Sequence, residues 1–198
     1  MSTGEYLVRA PRLWLRFLRE SDRAEFIRVW ERSQANNAPW FPAPPAGQTS
    51  AEAFDESLDR CERGRREDTE YRMIGVLDDG RIASIVNLSN IVRKAFESAT
   101  IGWSVNAELA GQGYTTEAVA AVLDFAFATP PAGLGLHRVQ AAIIPHNAAS
   151  LRVAEKNGFV HEGLARQYLK IAGRWQDHVI FAKLSDEHPP RFRTGDGA

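Results

Sequence analysis

Ala99-Thr-Ile-Gly-Trp-Ser-Val105, continued by Asn106-Ala-Glu-Leu-Ala-Gly111-Gln-Gly113-Tyr-Thr-Thr-Glu-Ala118, is the stretch whose reading decides the fold. The spacing predicts a strand ending at Val105 and a helix over Thr115–Ala128 that is apolar on nearly every face, hence buried. The loop between them carries Gly111 and Gly113. A strand, a glycine loop and a helix N-terminus together make an anion site, because free N–H groups converge there and the helix dipole favours negative charge. Glycines also let the backbone approach a phosphate closely. The same residues suit an ordinary strand-to-helix turn with Thr115 or Thr116 as N-cap. No lysine completes a Walker loop. Thr116 stands where a dinucleotide fingerprint needs its third glycine, and Ile144-Pro145-His146 stands where that fingerprint wants an acidic strand end. What remains is a pyrophosphate carried by something long enough to lie along the strand.

Outward from this loop, strands are expected at Leu13–Leu18, Tyr71–Leu77, Ile82–Leu88, Phe96–Val105, Arg138–Ile144, Phe159–Ile171 and Trp175–Leu184. Asp78-Asp79-Gly80 and Ala172-Gly173 supply tight turns. Helices are expected after Ser21 or Asp22, with Phe26, Ile27 and Trp30 as the apolar stripe, and from Ser50 to Arg66, with Phe54, Leu58 and Cys61 on one face. Two more are expected at Thr115–Ala128 and from about Asn147 to a left-handed cap at Asn157-Gly158. Prolines 39, 42, 44 and 45 keep the segment after the first helix non-helical. The order describes an α/β (α+β) domain with a mixed sheet of about seven strands and about four helices. A single domain over residues 1–187 and a flexible tail over 188–198 are expected.

The chain has 198 residues, with 24 Lys+Arg against 25 Asp+Glu and a formal charge of −1. That balance argues against direct nucleic-acid binding driven by bulk charge. The basic residues are 20 Arg and 4 Lys, and arginine suits phosphate contacts. The lone Cys61 excludes a disulfide framework and a cysteine zinc site, and no metal is expected. No apolar run is long enough for a membrane span and no signal peptide is evident, so a cytoplasmic protein is expected.

A second motif follows: His137-Arg-Val-Gln-Ala-Ala-Ile-Ile-Pro-His-Asn147-Ala-Ala-Ser150, then Leu-Arg-Val-Ala-Glu-Lys-Asn-Gly158-Phe159. With the glycine loop, this run resembles the GNAT N-acetyltransferase superfamily. Two further stretches, Glu162–Val179 and Pro39-Trp40-Phe41-Pro42, resemble its RimJ/RimL branch, the ribosomal-protein N-terminal alanine/serine acetyltransferases. The resemblance covers roughly residues 12–185. It implies the GNAT fold, with acetyl-CoA lying where two central parallel strands splay, here Phe96–Val105 and Arg138–Ile144. Backbone groups of Trp103, Ser104 and Val105 would hold the pantetheine arm. The N–H groups of Gly111, Gln112, Gly113, Tyr114, Thr115 and Thr116 would take the pyrophosphate. The Asn147 side chain would bond the pantetheine, the Ser150 hydroxyl would sit near the sulfur as the catalytic group, and Trp40 would line the acceptor groove. The loop departs from the usual Q/R-x-x-G-x-G/A at Ala110 and Thr115. The tyrosine that many members use as general acid falls at Ala154, leaving that role to Ser150 or to no side chain, and the strand glutamate used as base falls at Ala142.

The acceptor chemistry follows from protonation. At pH 7 an α-amine of pKa about 7.8 is roughly 10–15% neutral, whereas a lysine at about 10.4 is roughly 0.04% neutral. Making lysine equally available costs about 3.5 kcal/mol. A site without an evident buried base therefore fits the α-amine of a protein or peptide, or another low-pKa amine, better than lysine. Proton-relay candidates are His146, His178, Glu162, Asp177 and Glu117, each of which has an ordinary structural reading too. Acetylation of a small amine, such as an antibiotic, polyamine or amino-acid derivative, is one alternative. A non-catalytic CoA-binding module is another, and a nicotinamide oxidoreductase a distant third. Sheet-edge strands at the C-terminus could pair two copies into a homodimer.

Overall fold

Every segment expected to be extended forms a strand in this computed structural model, which describes residues 6–194. The elements are β1 (Val8–Arg9), β2 (Trp14–Phe17), α1 (Arg23–Asn37), α2 (Ser50–Glu67), β3 (Glu70–Val76), β4 (Ile82–Val92) and β5 (Ser98–Val105). They continue with α3 (Tyr114–Phe127), β6 (Arg138–Ile143), α4 (Ala148–Lys156), β7 (Val160–Ile171), β8 (Arg174–Leu184) and β9 (Arg193–Thr194). The strands form one sheet of nine, in the order β7-β8-β6-β5-β4-β3-β2-β1-β9. Seven were expected; the two extra ones are only two residues long, too short to show an alternating pattern. Among the described residues β5 and β6 are the only parallel neighbours, and every other pair is antiparallel.

The period-2 alternation of the strands feeds two cores. On β3, Met73 packs into the core around α3, while the next residue, Ile74, packs with Phe26, Val29 and Phe54 of α1 and α2. α3 is buried from Ala118 to Ala126 without interruption, as its all-round apolar sequence requires. α2 starts with a capping box in which Thr49 and Glu52 satisfy each other's backbone N–H groups. Cys61 is a core residue: its thiol donates to the Arg72 carbonyl, and burial pushes its pKa up. No helix of the described residues is long and apolar enough to cross a membrane.

The expected tail begins differently. Residues 188–192 are fastened to α3 by the one acidic residue in its apolar run, Asp124, which is only 3% exposed. Its carboxylate accepts from His188 Nε2 at 2.7 Å and from the Arg191 and Phe192 N–H groups at 3.1 and 2.8 Å. β9 then pairs with β1, and residues 195–198 lie outside the described residues. A buried carboxylate with this many donors cannot be removed without orphaning them. Asp124→Ala is therefore expected to cost about 3 kcal/mol or more, which thermal denaturation should register as a fall of roughly 6–12 °C.

Candidate functional site

Parallel pairing between β5 and β6 runs only from Ser98↔Arg138 to Ile101↔Ala141. Beyond it each strand follows its outer neighbour, β5 staying on β4 as far as Val105 and β6 on β8 as far as Ile143. The strands therefore part, and a cleft of about 580 Å³ opens between them. Main-chain groups alternate sides along a strand. The Asn106 N–H donates to the Ala83 carbonyl of β4, and the Ser104 carbonyl accepts the Ser84 hydroxyl at 2.7 Å. Residues 104 and 106 thus face β4, so the polar backbone groups of Trp103 and Val105 face the splay. The expectation that Ser104 offers its backbone there is corrected by this parity, although Ser104 still lines the cleft.

The glycine loop closes one end of the cleft. Gly111 and Gly113 have φ of +77° and +83°, in the left-handed region that strains any residue with a Cβ. Gly113, not Thr115 or Thr116, is the N-cap of α3, and it brings no capping side chain. Glu117 N–H is the first to bond back, to the Gly113 carbonyl, so the N–H groups of Tyr114, Thr115 and Thr116 are left for a ligand. Gly111, Gly113, Tyr114, Thr115 and Thr116 all line the cleft; Gln112 does not. The Gln112 carbonyl instead accepts from Arg12 Nη1 at 3.0 Å.

Arg12 is the residue that reading the sequence missed. Its Nε donates to Glu117 Oε2 and its backbone N–H to Glu117 Oε1, both at 2.7 Å, and its guanidinium sits 4.5 Å from the Tyr114 ring centre. One side chain thereby grips the loop, the aromatic ring after it and the first turn of α3, while neutralising the only carboxylate of that turn. Nothing local marks Arg12, because its partner lies 105 residues away.

The opposite wall is the start of α4. Asn147 is its N-cap, Oδ1 accepting from Ser150 N–H at 3.1 Å, which leaves the Nδ2 donors for a ligand. Asn147 and Ser150 both line the cleft, with Arg152 and Lys156 behind them as its cationic side chains. Gly158 ends the helix in the left-handed region, and Phe159 N–H bonds back to the Ala154 carbonyl. Ala154, at the position to which the resemblance assigns a tyrosine, is completely buried, whereas Ala142 lines the cleft. Trp40 stands at the far end, its ring 5.4 Å from that of His146. His178 also lines the cleft.

Among the described residues no Asp or Glu lines the cleft. The three carboxylates considered as proton relays are engaged elsewhere. Glu162 pairs with Arg138, which holds its carboxyl below the usual range. Asp177 Oδ1 accepts the Gln167 N–H at 2.8 Å, and Glu117 is held by Arg12. No cluster of metal-ligating side chains occurs among the described residues.

A splayed pair of parallel strands, a helix whose first N–H groups face the cleft and an asparagine-capped second helix define an acyltransferase cleft. Residues 12–160 match the acetyltransferase (GNAT) domain family, and the chain belongs to it. It is 41% identical over 121 residues to a probable N-acetyltransferase, YjcK, of Bacillus subtilis, a match covering 61% of this chain and 65% of that protein. It is 26% identical over 181 residues to the ribosomal protein uS5-alanine N-acetyltransferase of Escherichia coli, covering 90% and 91% of the two chains. The solved structure of Mycobacterium smegmatis RimJ in complex with CoA-disulfide superposes with a TM-score of 0.81 at 29% identity, covering 92% of this chain and 88% of that one. The chain is therefore an N-acetyltransferase of GNAT fold.

The capping role of Asn147 is separable from any contact with a ligand. Asn147→Ala is expected to cost about 1 kcal/mol through loss of the cap, seen as a melting point lower by roughly 2–4 °C without any ligand present.

Proposed function

We propose that the protein transfers acetyl from acetyl-CoA to the N-terminal α-amine of a protein or peptide. For the donor, the supporting observation is a pair of backbone donor sets, one at Trp103 and Val105 in the splay and one in the first turn of α3, separated by residues 106–110, whose N–H groups are bonded within the protein. A pantetheine amide can continue the interrupted β5 ladder at Trp103 and Val105. The N–H groups of residues 113–116 and the helix dipole suit a pyrophosphate, and Arg152 and Lys156 add positive charge on the α4 wall. When bound, acetyl-CoA supplies a thioester carbonyl to which an amine nitrogen adds as the C–S bond breaks. The chain's part is to align that carbonyl with backbone dipoles, to hold the amine against it and to keep water out. In this reading Ser150, in the first turn of α4 and lining the cleft, hydrogen-bonds the departing sulfur.

For the acceptor, the observation that carries the reading is the absence of a carboxylate from the cleft lining among the described residues. A polyamine keeps one or more positive charges while a single nitrogen reacts, and burying them unpaired is costly. An α-amine presents one nitrogen with a pKa near neutrality and leaves no charge behind. The half-buried Trp40 beside His146 offers an aromatic wall for the first side chain of a peptide.

Calorimetric titration is expected to show micromolar binding of acetyl-CoA and none of NAD; no acetyl-CoA binding would overturn the donor assignment. Arg12→Met should weaken acetyl-CoA about tenfold, the worth of one charge-assisted hydrogen bond of roughly 1.5 kcal/mol. The same variant should leave turnover of S-acetylpantetheine, which lacks the pyrophosphate, unchanged. In an acceptor panel, peptides with a free N-terminus should react, and N-terminally blocked lysine peptides and spermidine should not. Preference for either of the latter would overturn the acceptor assignment alone.

A further inference from the structure

We propose that His178 is the group that receives the proton of the acceptor amine. This rests on the acetyl-transfer reading above and deepens it. No Asp or Glu among the described residues lines the cleft, and the imidazoles that line it are those of His146 and His178. They are held very differently. His146 is exposed against Trp40, with no hydrogen bond to its ring among the described residues. His178 is 3% exposed, and its Nδ1 lies 3.0 Å from the Gln176 carbonyl oxygen.

That contact sets the tautomer. A carbonyl oxygen can only accept, so Nδ1 carries the hydrogen and Nε2 of the neutral ring is left with its lone pair. An imidazole oriented by an acceptor on one nitrogen and open on the other is the arrangement general-base catalysis requires. Its place in the fold agrees. The β6–β8 ladder ends at Ile143↔Val179, so His178 stands one residue past the last pair, where β6 leaves the sheet toward Asn147 and Ser150. The hairpin that carries it is braced. The β7 register shifts between Ala165 and Leu169, Gln167 takes φ +50° and donates its N–H to Asp177, and the Tyr168 ring packs 5.4 Å from the imidazole. Tyr168 is the titratable group that touches the ring; His146, Arg152 and Lys156 share the cleft with it.

The step balances without another reactant. The nitrogen lone pair forms the C–N bond, and the N–H proton passes to His178 Nε2. The C–S electron pair leaves with sulfur, and the imidazolium returns the proton to it, giving the amide, the free thiol and a neutral ring.

The test compares His178→Asn, whose amide can still donate to the Gln176 carbonyl, with His178→Ala and His146→Asn. Turnover on an α-amine peptide and acetyl-CoA affinity are measured from pH 7 to pH 9. The expected result at pH 7 is a kcat lower by about a hundredfold or more in both His178 variants, the usual worth of a general base. Acetyl-CoA affinity should stay within twofold of the parent chain. The deficit should shrink toward pH 9, where hydroxide and a fully neutral amine replace the base, and added imidazole should restore part of kcat to His178→Ala. His146→Asn, which alters the acceptor wall beside Trp40, should show neither a deficit that shrinks toward pH 9 nor rescue by imidazole. A kcat within threefold of the parent for His178→Asn, or a loss matched by lost acetyl-CoA affinity and insensitive to pH and imidazole, would overturn the assignment. If the parent chain itself acetylates no amine, the acetyl-transfer reading fails and the assignment falls with it.

Discussion

A parallel ladder that stops after four residue pairs is the constraint on which the molecule depends. Sheet twist alone spreads neighbouring strands only gradually. Here the separation is enforced, because β4 and β8 keep hold of β5 and β6 after these have released each other. Backbone donors and acceptors left facing the gap cannot be buried unpaired without cost. They must meet water or a ligand that itself alternates donors and acceptors. The site thus consists chiefly of main chain, and side-chain changes nearby, such as Ala110 and Thr115 in the loop, leave its groups in place.

A main-chain site is only as well defined as the elements that carry it. The first turn of α3 is fixed from behind by an uninterrupted buried helix and from the sides by both ends of the chain. Arg12, just before β2, ties Gln112 and Glu117 together. From the other end Arg191 Nη1 reaches Asn157 Oδ1, and Asn157 Nδ2 donates to the Thr116 carbonyl at 3.2 Å. Asn157 thereby joins the end of α4 to the beginning of α3, the two helices that flank the cleft. The glycines permit the loop its shape, and these long-range contacts select that shape from those glycine allows.

Local chemistry was legible in the sequence, and parity and distant partners were not. The glycine loop, the buried helix and the Asn147–Ser150 start of α4 follow from spacing, because each is decided within a few residues. The side on which Ser104 bonds depends on the β4 register, which no single strand encodes. Between a relay role and a structural one, the sequence does not decide for Glu162 and Glu117, because the arginines that hold them lie 24 and 105 residues away. The fastening of residues 188–192 did leave a sign, since one aspartate in an otherwise apolar buried helix must have donors somewhere. The histidines were separated only by burial and by a carbonyl on the His178 ring, both properties of the folded chain.

The distribution of charge along the cleft makes the choice of acceptor a matter of desolvation. Its arginine and lysine lie on α4, where a polyanionic donor fits, and among the described residues no carboxylate compensates a cation at the other end. An amine arriving as ammonium must therefore shed its proton before or during burial. For an α-amine that costs about 1 kcal/mol at pH 7, against more than 4 kcal/mol for a lysine side chain, from their ordinary pKa values of about 7.8 and 10.4. A single imidazole suffices in the first case. The second would require a buried anion to draw in the ammonium and a stronger base to discharge it, and the described lining contains neither.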